Sequence, residues 1–316
     1  MTNARPTHLA IVKFARGTGL GNRLFQWARA RIWCYENEGV MVSPQWIRIS
    51  LGSLIRRDVP LHHYLGRIAL IGLFCRHPDD WSWFRLLIFT CQLSVLRQSE
   101  QKRNTLSRTG SSILRVFDGR QDSFICLNSY QSRLKADLLS TFQQRHVQRA
   151  FQLKVPPIAI NIRLGKDFAP PPAQPEIALA YDWVGWLQQT PIAWFMETLE
   201  LIRLHAGWSV PAIVVSDGDV HQLSPILNLP SVTYLANSNA AVDLIVLSRS
   251  SVLLGSGSSS FCAWAAFLGQ QPCFTAPGHP FSAFGLESLN NQMIASFDPR
   301  NPDEHSLAVM CAAVSR

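Results

Sequence analysis

AAVDLIVLSRSSVLLGSGSSSFCAWAAFLG, residues 240–269, is the stretch on which the fold turns. It reads as a helix around AAVDLIVLSRS, a strand VLLGS, a loop of serines and glycine, and a second helix, SFCAWAAFLG. Upstream the same alternation holds. VPPIAINIRLG carries a strand at Ile158–Ile162 that enters a proline-rich loop, APPPAQPE. TPIAWFMETLELIRLHAGW follows as a helix, with Pro191 suited to a first turn and Gly207 to the exit. AIVVSDGD is the next strand and VTYLA a short further one. Strands that alternate with helices are joined by crossovers, which makes the sheet parallel and the connections right-handed.

The amino-terminal part opens in the same way. LAIVKF (Leu9–Phe14) reads as a strand, ARGTGLGN as a glycine turn, and a helix starts near Asn22. Leu24, Phe25, Ala28, Ile32 and Tyr35 recur at helical spacing, and Gly39 is a natural stop. Strand, glycine loop and helix form the opening unit of an α/β domain. Residues 45–150 mix short apolar runs with arginine and histidine. Within them Trp81–Leu96 reads as a helix, buried or lying at a membrane surface, the buried reading being the commoner one. A composition shift near residue 152 divides the chain into domains 1–152 and 153–316, with the last helix in the second domain or returning to the first.

Bulk properties narrow the classes. With 47% hydrophobic and 16% charged residues in 316, the chain is globular and long enough for two ordinary domains. Residues 1–150 hold 22 Lys/Arg against 9 Asp/Glu, a net +13, while residues 151–316 hold 7 against 12, a net −5. A basic half suits nucleic acid, an anionic membrane or a phosphorylated acceptor, or is a solvated arginine-rich face. No stretch matches a nucleic-acid-binding module, so nucleic acid is not an expected partner. Seven scattered cysteines without a C-x-x-C pair argue against a disulfide framework and a zinc cluster, and fit a reducing cytosol. The first residues, MTNARPTHLAIVKF, hold too short an apolar run for a signal peptide. Ser250–Leu286 lacks charge but is broken by GSGSSS and QQP, so no membrane span is expected there.

Four segments at expected strand ends carry chemistry, since open α/β sheets bind ligands at the carboxyl ends of their strands. GTGLGNRLFQWA (Gly17–Ala28) offers glycines and helix-start amides to a phosphate or sugar, or is a structural turn. NIRLGKD (Asn161–Asp167) places an arginine beyond a buried strand, suited to bidentate capture of a phosphate or to pairing with a nearby carboxylate. VVSDGD (Val214–Asp219) ends in acids that suit a metal, a base edge, ribose hydroxyls or the cap of the next helix. LLGSGSSSFCAWAAFLG (Leu253–Gly269) sets Ser256, Gly257, Ser258, Ser259 and Ser260 between strand and helix, as an anion cradle or a plain serine cap.

The order of these segments resembles that of the bacterial α-1,2-fucosyltransferases, a family that is glycosyltransferase family 11-like within the broader fucosyltransferase superfamily. Its members carry GLGNQMFQYA, H-x-R-R-G-D, F-S-D-D and S-x-F-S-W-W-x-A. The counterparts here are GLGNRLFQWA, NIRLGKD, VSDGD and SSSFCAWAA, with Asp243-Leu244 before the last, and they span residues 17–266. Asn161 stands for the family histidine, Leu164 for its second arginine, and Lys166 for its aspartate, with Asp167 one place further on. Arg23 replaces a glutamine, and Cys262 and Ala263 replace Ser and Trp.

The resemblance implies a GT-B type fold: two facing Rossmann-like domains with parallel sheets and a cleft between them. It implies inverting, metal-independent transfer of fucose from GDP-fucose, or of a sugar from another GDP-sugar, to a hydroxyl of a glycan, with no cofactor. Arg163 would grip the donor pyrophosphate together with Ser258, Ser259, Ser260 and Phe261, with Asn161 beside it. Asp217 or Asp219 would read guanine or ribose, and Gly21 and Asn22 would face the cleft from the acceptor-side domain. Asp167 is the first candidate for general base, with Glu176 and Asp182 behind it. The basic half, including Arg56, Arg57, His62 and His63, would hold an oligosaccharide or lipid-linked glycan acceptor. That places the protein in the cytoplasm, peripheral to the inner face of the membrane if the acceptor is lipid-linked. The alternatives are a metal-dependent glycosyltransferase using Asp217 and Asp219 as a D-x-D pair, and a non-catalytic sugar- or nucleotide-binding relative.

Overall fold

The computed structural model describes residues 8–14, 18–46, 72–92, 96–99, 113–119, 121, 123–165, 168–170, 188–278, 281–286, 289 and 293–315. The chain forms two compact units, one of Met1–Asp122 with Cys126–His146 and one of Ser123–Ile125 with Val147–Arg316.

The first unit holds β1 (His8–Val12), α1 (Leu20–Glu36), β2 (Val40–Met41), α2 (Trp83–Gln92), β3 (Leu96–Ser99), β4 (Ile113–Phe117) and α3 (Gln131–Thr141). Its sheet runs β2-β1-β4-β3, with every pair parallel. Helix α1 starts at Leu20 with Gly19 as an extended N-cap, and buries Leu24, Phe25, Ala28 and Ile32 on the expected face. Arg23 is buried too: its guanidinium donates to the carbonyls of Thr18 (3.0 Å) and Trp46, fixing the turn that leads into the helix. About two turns on, Arg31 meets Asp80 at 2.8 Å and Asp137 at 3.3 Å, and Tyr35 donates to Asp137. This buried pairing ties α1 to the 77–80 loop and to α3. Burial raises the Asp80 carboxyl to about 6 even with Arg31 beside it.

The division between the units falls inside α4 (Gln144–Gln152). The second unit continues with β5 (Ile158–Ile162), α5 (Ile192–Ala206), β6 (Ala212–Ser216), α6 (Val220–Leu227), β7 (Val232–Tyr234) and α7 (Ala240–Leu247). It closes with β8 (Val252–Gly255), α8 (Ser260–Gly269), β9 (Cys273–Thr275), β10 (Ile294–Ser296) and α9 (Glu304–Val314). The sheet order is β10-β9-β8-β5-β6-β7, all parallel.

Strand β5 is buried along its whole length, as a central parallel strand must be. Ile158, Ile160 and Ile162 pack into a core with Trp194, Phe195, Leu199 and Ile202 of α5. Leu307, Met310 and Val314 of α9 join the same core, so the last helix packs within the second unit. By strand alternation Ala159 and Asn161 point to the opposite face, where α7 covers the strand. Gly207 ends α5 in the left-handed conformation, φ 74°, which a glycine adopts without penalty. No helix among the described residues is long and apolar enough to cross a membrane.

Candidate functional site

The second sheet has the doubly wound order 3-2-1-4-5-6 when read as β7-β6-β5-β8-β9-β10. The chain moves outward from β5 to β6 and β7, then crosses back to start the other half at β8. The switch point therefore lies between β5 and β8, and the crevice outside their carboxyl ends is where such sheets bind ligands. NIRLG leaves β5 at that point and GSGSSS leaves β8 beside it.

The two loops are stitched together. The Ser256 amide donates to the Asn161 carbonyl at 2.9 Å, extending the ladder one step past β8. The Ser256 hydroxyl, fully buried, accepts from the Arg163 amide at 3.0 Å across 93 residues of sequence. This fixes the backbone of Arg163, whose guanidinium lies 5.1 Å above the Phe168 ring and 2.9 Å from Asp217 Oδ2. The other Asp217 oxygen accepts from the amides of Leu164 (2.9 Å) and Gly165 (3.2 Å). Gly165 is required there, because a Cβ would strike the Asp217 carboxylate, and a Cβ on Gly218 would strike Leu164. Gln189 closes the loop by donating to the carbonyls of Leu164 and Phe168, each at 3.2 Å. Arg163 is thus a cation on a rigid platform, with the guanidinium only partly exposed and its buried Nε without a protein partner.

The serine loop is shaped by its backbone. Ser258 carries the left-handed conformation, φ 57°, a demand that the neighbouring Gly257 would have met more cheaply. Ser259 is the N-cap of α8, its hydroxyl accepting from the Cys262 amide at 3.3 Å. Ser260 and Phe261 open the helix and are half-buried. Gly255 admits Cys262 closely, since a Cβ there would meet its sulfur. The helix start and its unpaired amides are thereby drawn close to the end of β8.

The expected residues separate into groups. Asn161, Arg163, Ser258, Ser259, Ser260 and Phe261 come together at the switch point. Asn161 is 2% exposed, and its side-chain oxygen lacks a partner. Asp217 joins this group through Arg163. Asp219 is the N-cap of α6: it accepts from the His221 amide at 2.8 Å and forms a capping box with Gln222. Gly21 is buried and Asn22 half-buried in the first turn of α1, in the other unit. Asp167, Glu176, Asp182, Arg56, Arg57, His62 and His63 lie outside the described residues. Among the described residues no group of three or more His, Cys, Asp or Glu side chains is gathered as a metal site.

Ser256, Gln189 and Phe168 form part of the site's framework; sequence reading placed Ser256 in the serine cradle and gave the other two no role. Ser256 was visible as the first serine past the strand, and the others gave no signal. Asp243 is a further unassigned group. It lies in the first turn of α7, accepts from the Ser238 hydroxyl, and burial raises its carboxyl to about 6. Because α7 follows β7, that turn belongs to the same side of the sheet as the strand ends.

No family model matches the sequence, and no curated protein sequence matches it. Among solved structures the chain is similar to the apo form of POFUT1, at 10% identity over 94% of this chain and 99% of that one, TM-score 0.48. It is similar to fucosyltransferase NodZ from Bradyrhizobium, at 13% identity over 84% of this chain and 94% of that one, TM-score 0.47. It is also similar to NodZ alpha-1,6-fucosyltransferase co-crystallized with GDP, at 14% identity over 87% and 97%, TM-score 0.44.

Proposed function

We propose that this chain is an inverting, metal-independent glycosyltransferase that transfers fucose from GDP-fucose to a hydroxyl of a glycan acceptor. The observation that carries the reading is the meeting of Arg163 and the serine-lined start of α8 at the β5–β8 switch point, joined through Ser256. A cation on a rigid platform beside a helix start suits a pyrophosphate and offers little to a neutral ligand. The ordered motifs shared with α-1,2-fucosyltransferases narrow the donor to a GDP-sugar.

In this reading the acceptor oxygen attacks the anomeric carbon from the face opposite the nucleotide. The bond from that carbon to the diphosphate oxygen breaks, and its electron pair leaves with GDP. Arg163 has donors beyond those facing Asp217, so it can keep that pair and still hydrogen-bond a phosphate oxygen. Helix-start amides and serine hydroxyls stabilise the rest of the leaving charge, and the barrier falls through positioning and charge stabilisation. The acceptor proton passes to a carboxylate, for which Asp167 is the first candidate.

The D-x-D alternative is disfavoured by where the two aspartates spend their oxygens. Asp219 caps a helix, and both Asp217 oxygens are taken by Arg163 and two amides. The test is GDP release from GDP-fucose, with and without glycan acceptors, in excess EDTA. Undiminished turnover supports the proposal. Turnover restored only by Mn²⁺ or Mg²⁺ returns the D-x-D reading, and GDP binding without any turnover leaves a non-catalytic relative.

A further inference from the structure

Helix α2 turns much of its apolar surface outward. Trp83 is 38% exposed, Phe84 72%, Leu87 60% and Ile88 43%, while Leu86 is buried with Leu9, Ile11, Val42 and Leu114. At about 100° per residue, Trp83, Leu87, Phe84 and Ile88 share one continuous arc, with Arg85 at its edge and Leu86 on the far side. A single exposed apolar residue needs no explanation, whereas four on one arc mark an interaction surface.

Charge identifies the partner. The helix, WFRLLIFTCQ, contains no acidic residue. Arg85 stacks 4.9 Å over Trp81 at the edge of the arc, and exposed Arg76 lies seven residues before the helix. Trp83 donates its indole N–H to the Ser43 carbonyl at 2.9 Å, which leaves its ring at the border of the apolar face. The surrounding half of the chain carries a net +13. A second copy docked face to face would bring two such halves together, so self-association works against the charge. An anionic bilayer satisfies both features: acyl chains accept the arc, and headgroups accept the arginines.

We propose that the Trp83–Ile88 face of α2 is a peripheral docking surface for anionic phospholipid membranes. This goes beyond the donor chemistry proposed above and does not depend on it. The test is co-sedimentation of the full chain with vesicles of phosphatidylcholine alone or mixed with phosphatidylglycerol. Wild type should bind the mixed vesicles and release in high salt. Phe84→Glu and Phe84→Glu/Ile88→Glu should lower the partition coefficient by roughly tenfold or more, as expected for losing a buried aromatic or aliphatic side chain. Leu204→Glu is the matched control. It alters a residue 75% exposed on α5 of the acidic second unit, and should leave binding unchanged.

Circular dichroism and a GDP-induced melting shift, measured on each variant, separate lost docking from lost folding and from failure of the nucleotide proposal. Absence of wild-type binding to the mixed vesicles would overturn the inference. So would equal binding by folded Phe84→Glu/Ile88→Glu, or a wild-type dimer in sedimentation velocity that this variant dissolves.

Discussion

Arg163 is held by backbone as much as by charge. The Ser256 hydroxyl fixes its amide, Asp217 fixes one edge of its guanidinium, and Phe168 lies beneath it. Arg163→Ala should therefore leave the fold intact while removing about 2–4 kcal/mol of transition-state stabilisation, roughly a 30- to 1000-fold loss in kcat/KM. Arg163→Lys should recover little of it, since lysine keeps the charge but not the planar fork. Near-wild-type turnover with an unchanged circular-dichroism spectrum would remove Arg163 from the site. The two aspartates divide in a way that sequence alone could not resolve, because D-G-D offers the same carboxylate twice. Asp217→Ala takes away the anchor of the Arg163 loop and should weaken GDP binding by about tenfold. Asp219→Asn keeps an equally good helix cap and should change neither GDP affinity nor, beyond about 0.5 kcal/mol, stability. Isothermal titration and urea unfolding of both variants check this, and equal loss of GDP affinity in the two would favour a shared ligand such as a metal.

At the scale of elements, what could be read in advance was what obeys a simple period. Strand β5 was legible end to end because a central parallel strand is uniformly apolar, and the exit of α5 because Gly207 supplies a left-handed turn. Strand β4, ILRVF, was not. Its Arg115 lies 5.8 Å from the Trp33 ring and 5.7 Å from Phe117, so a cation inside a short apolar run stacks on aromatic faces. The α2 run, read as buried or as lying at a membrane surface, turns Trp83, Phe84, Leu87 and Ile88 outward and buries Leu86. Helix α7 hid its chemistry in another way: Asp243 looks like an ordinary first-turn acid, yet burial raises its carboxyl from 3.8 to about 6. A folded pKa above the unfolded one means the native state favours the proton. The resulting stability is complete below about pH 4 and disappears as the pH rises through about 6. Asp243→Asn cannot lose that proton, so relative to wild type it should gain about 2–3 kcal/mol between pH 4 and pH 7. Urea unfolding of both proteins at the two pH values measures the difference. A gap that does not change with pH would mean the carboxyl is unperturbed.

For the whole molecule, the sequence and the structure agree on an α/β fold with parallel sheets, and the sequence is strongly basic over residues 1–150 and acidic over 151–316. The second unit carries the doubly wound strand order, and its switch point collects the Arg163 loop and the serine loop. The candidate site was partly legible because strand ends in such sheets are marked by glycine, serine and a lone arginine. It was partly illegible because Ser256, Gln189 and Phe168 act through hydrogen bonds and stacking that depend on tertiary register. The central claim is that this switch point binds a guanosine diphosphate group through arginine and helix-start amides, without a metal. The most direct measurement is the melting temperature of wild type and Arg163→Ala with GDP, UDP, CDP or dTDP in excess EDTA. A ligand present at about a hundred times its Kd stabilises the native state by about 2.7 kcal/mol, enough for a shift of a few degrees. The account predicts that GDP alone raises the wild-type melting temperature under EDTA, and that Arg163→Ala abolishes the shift. A shift that needs added divalent metal, that another nucleotide matches, or that survives in Arg163→Ala would contradict it.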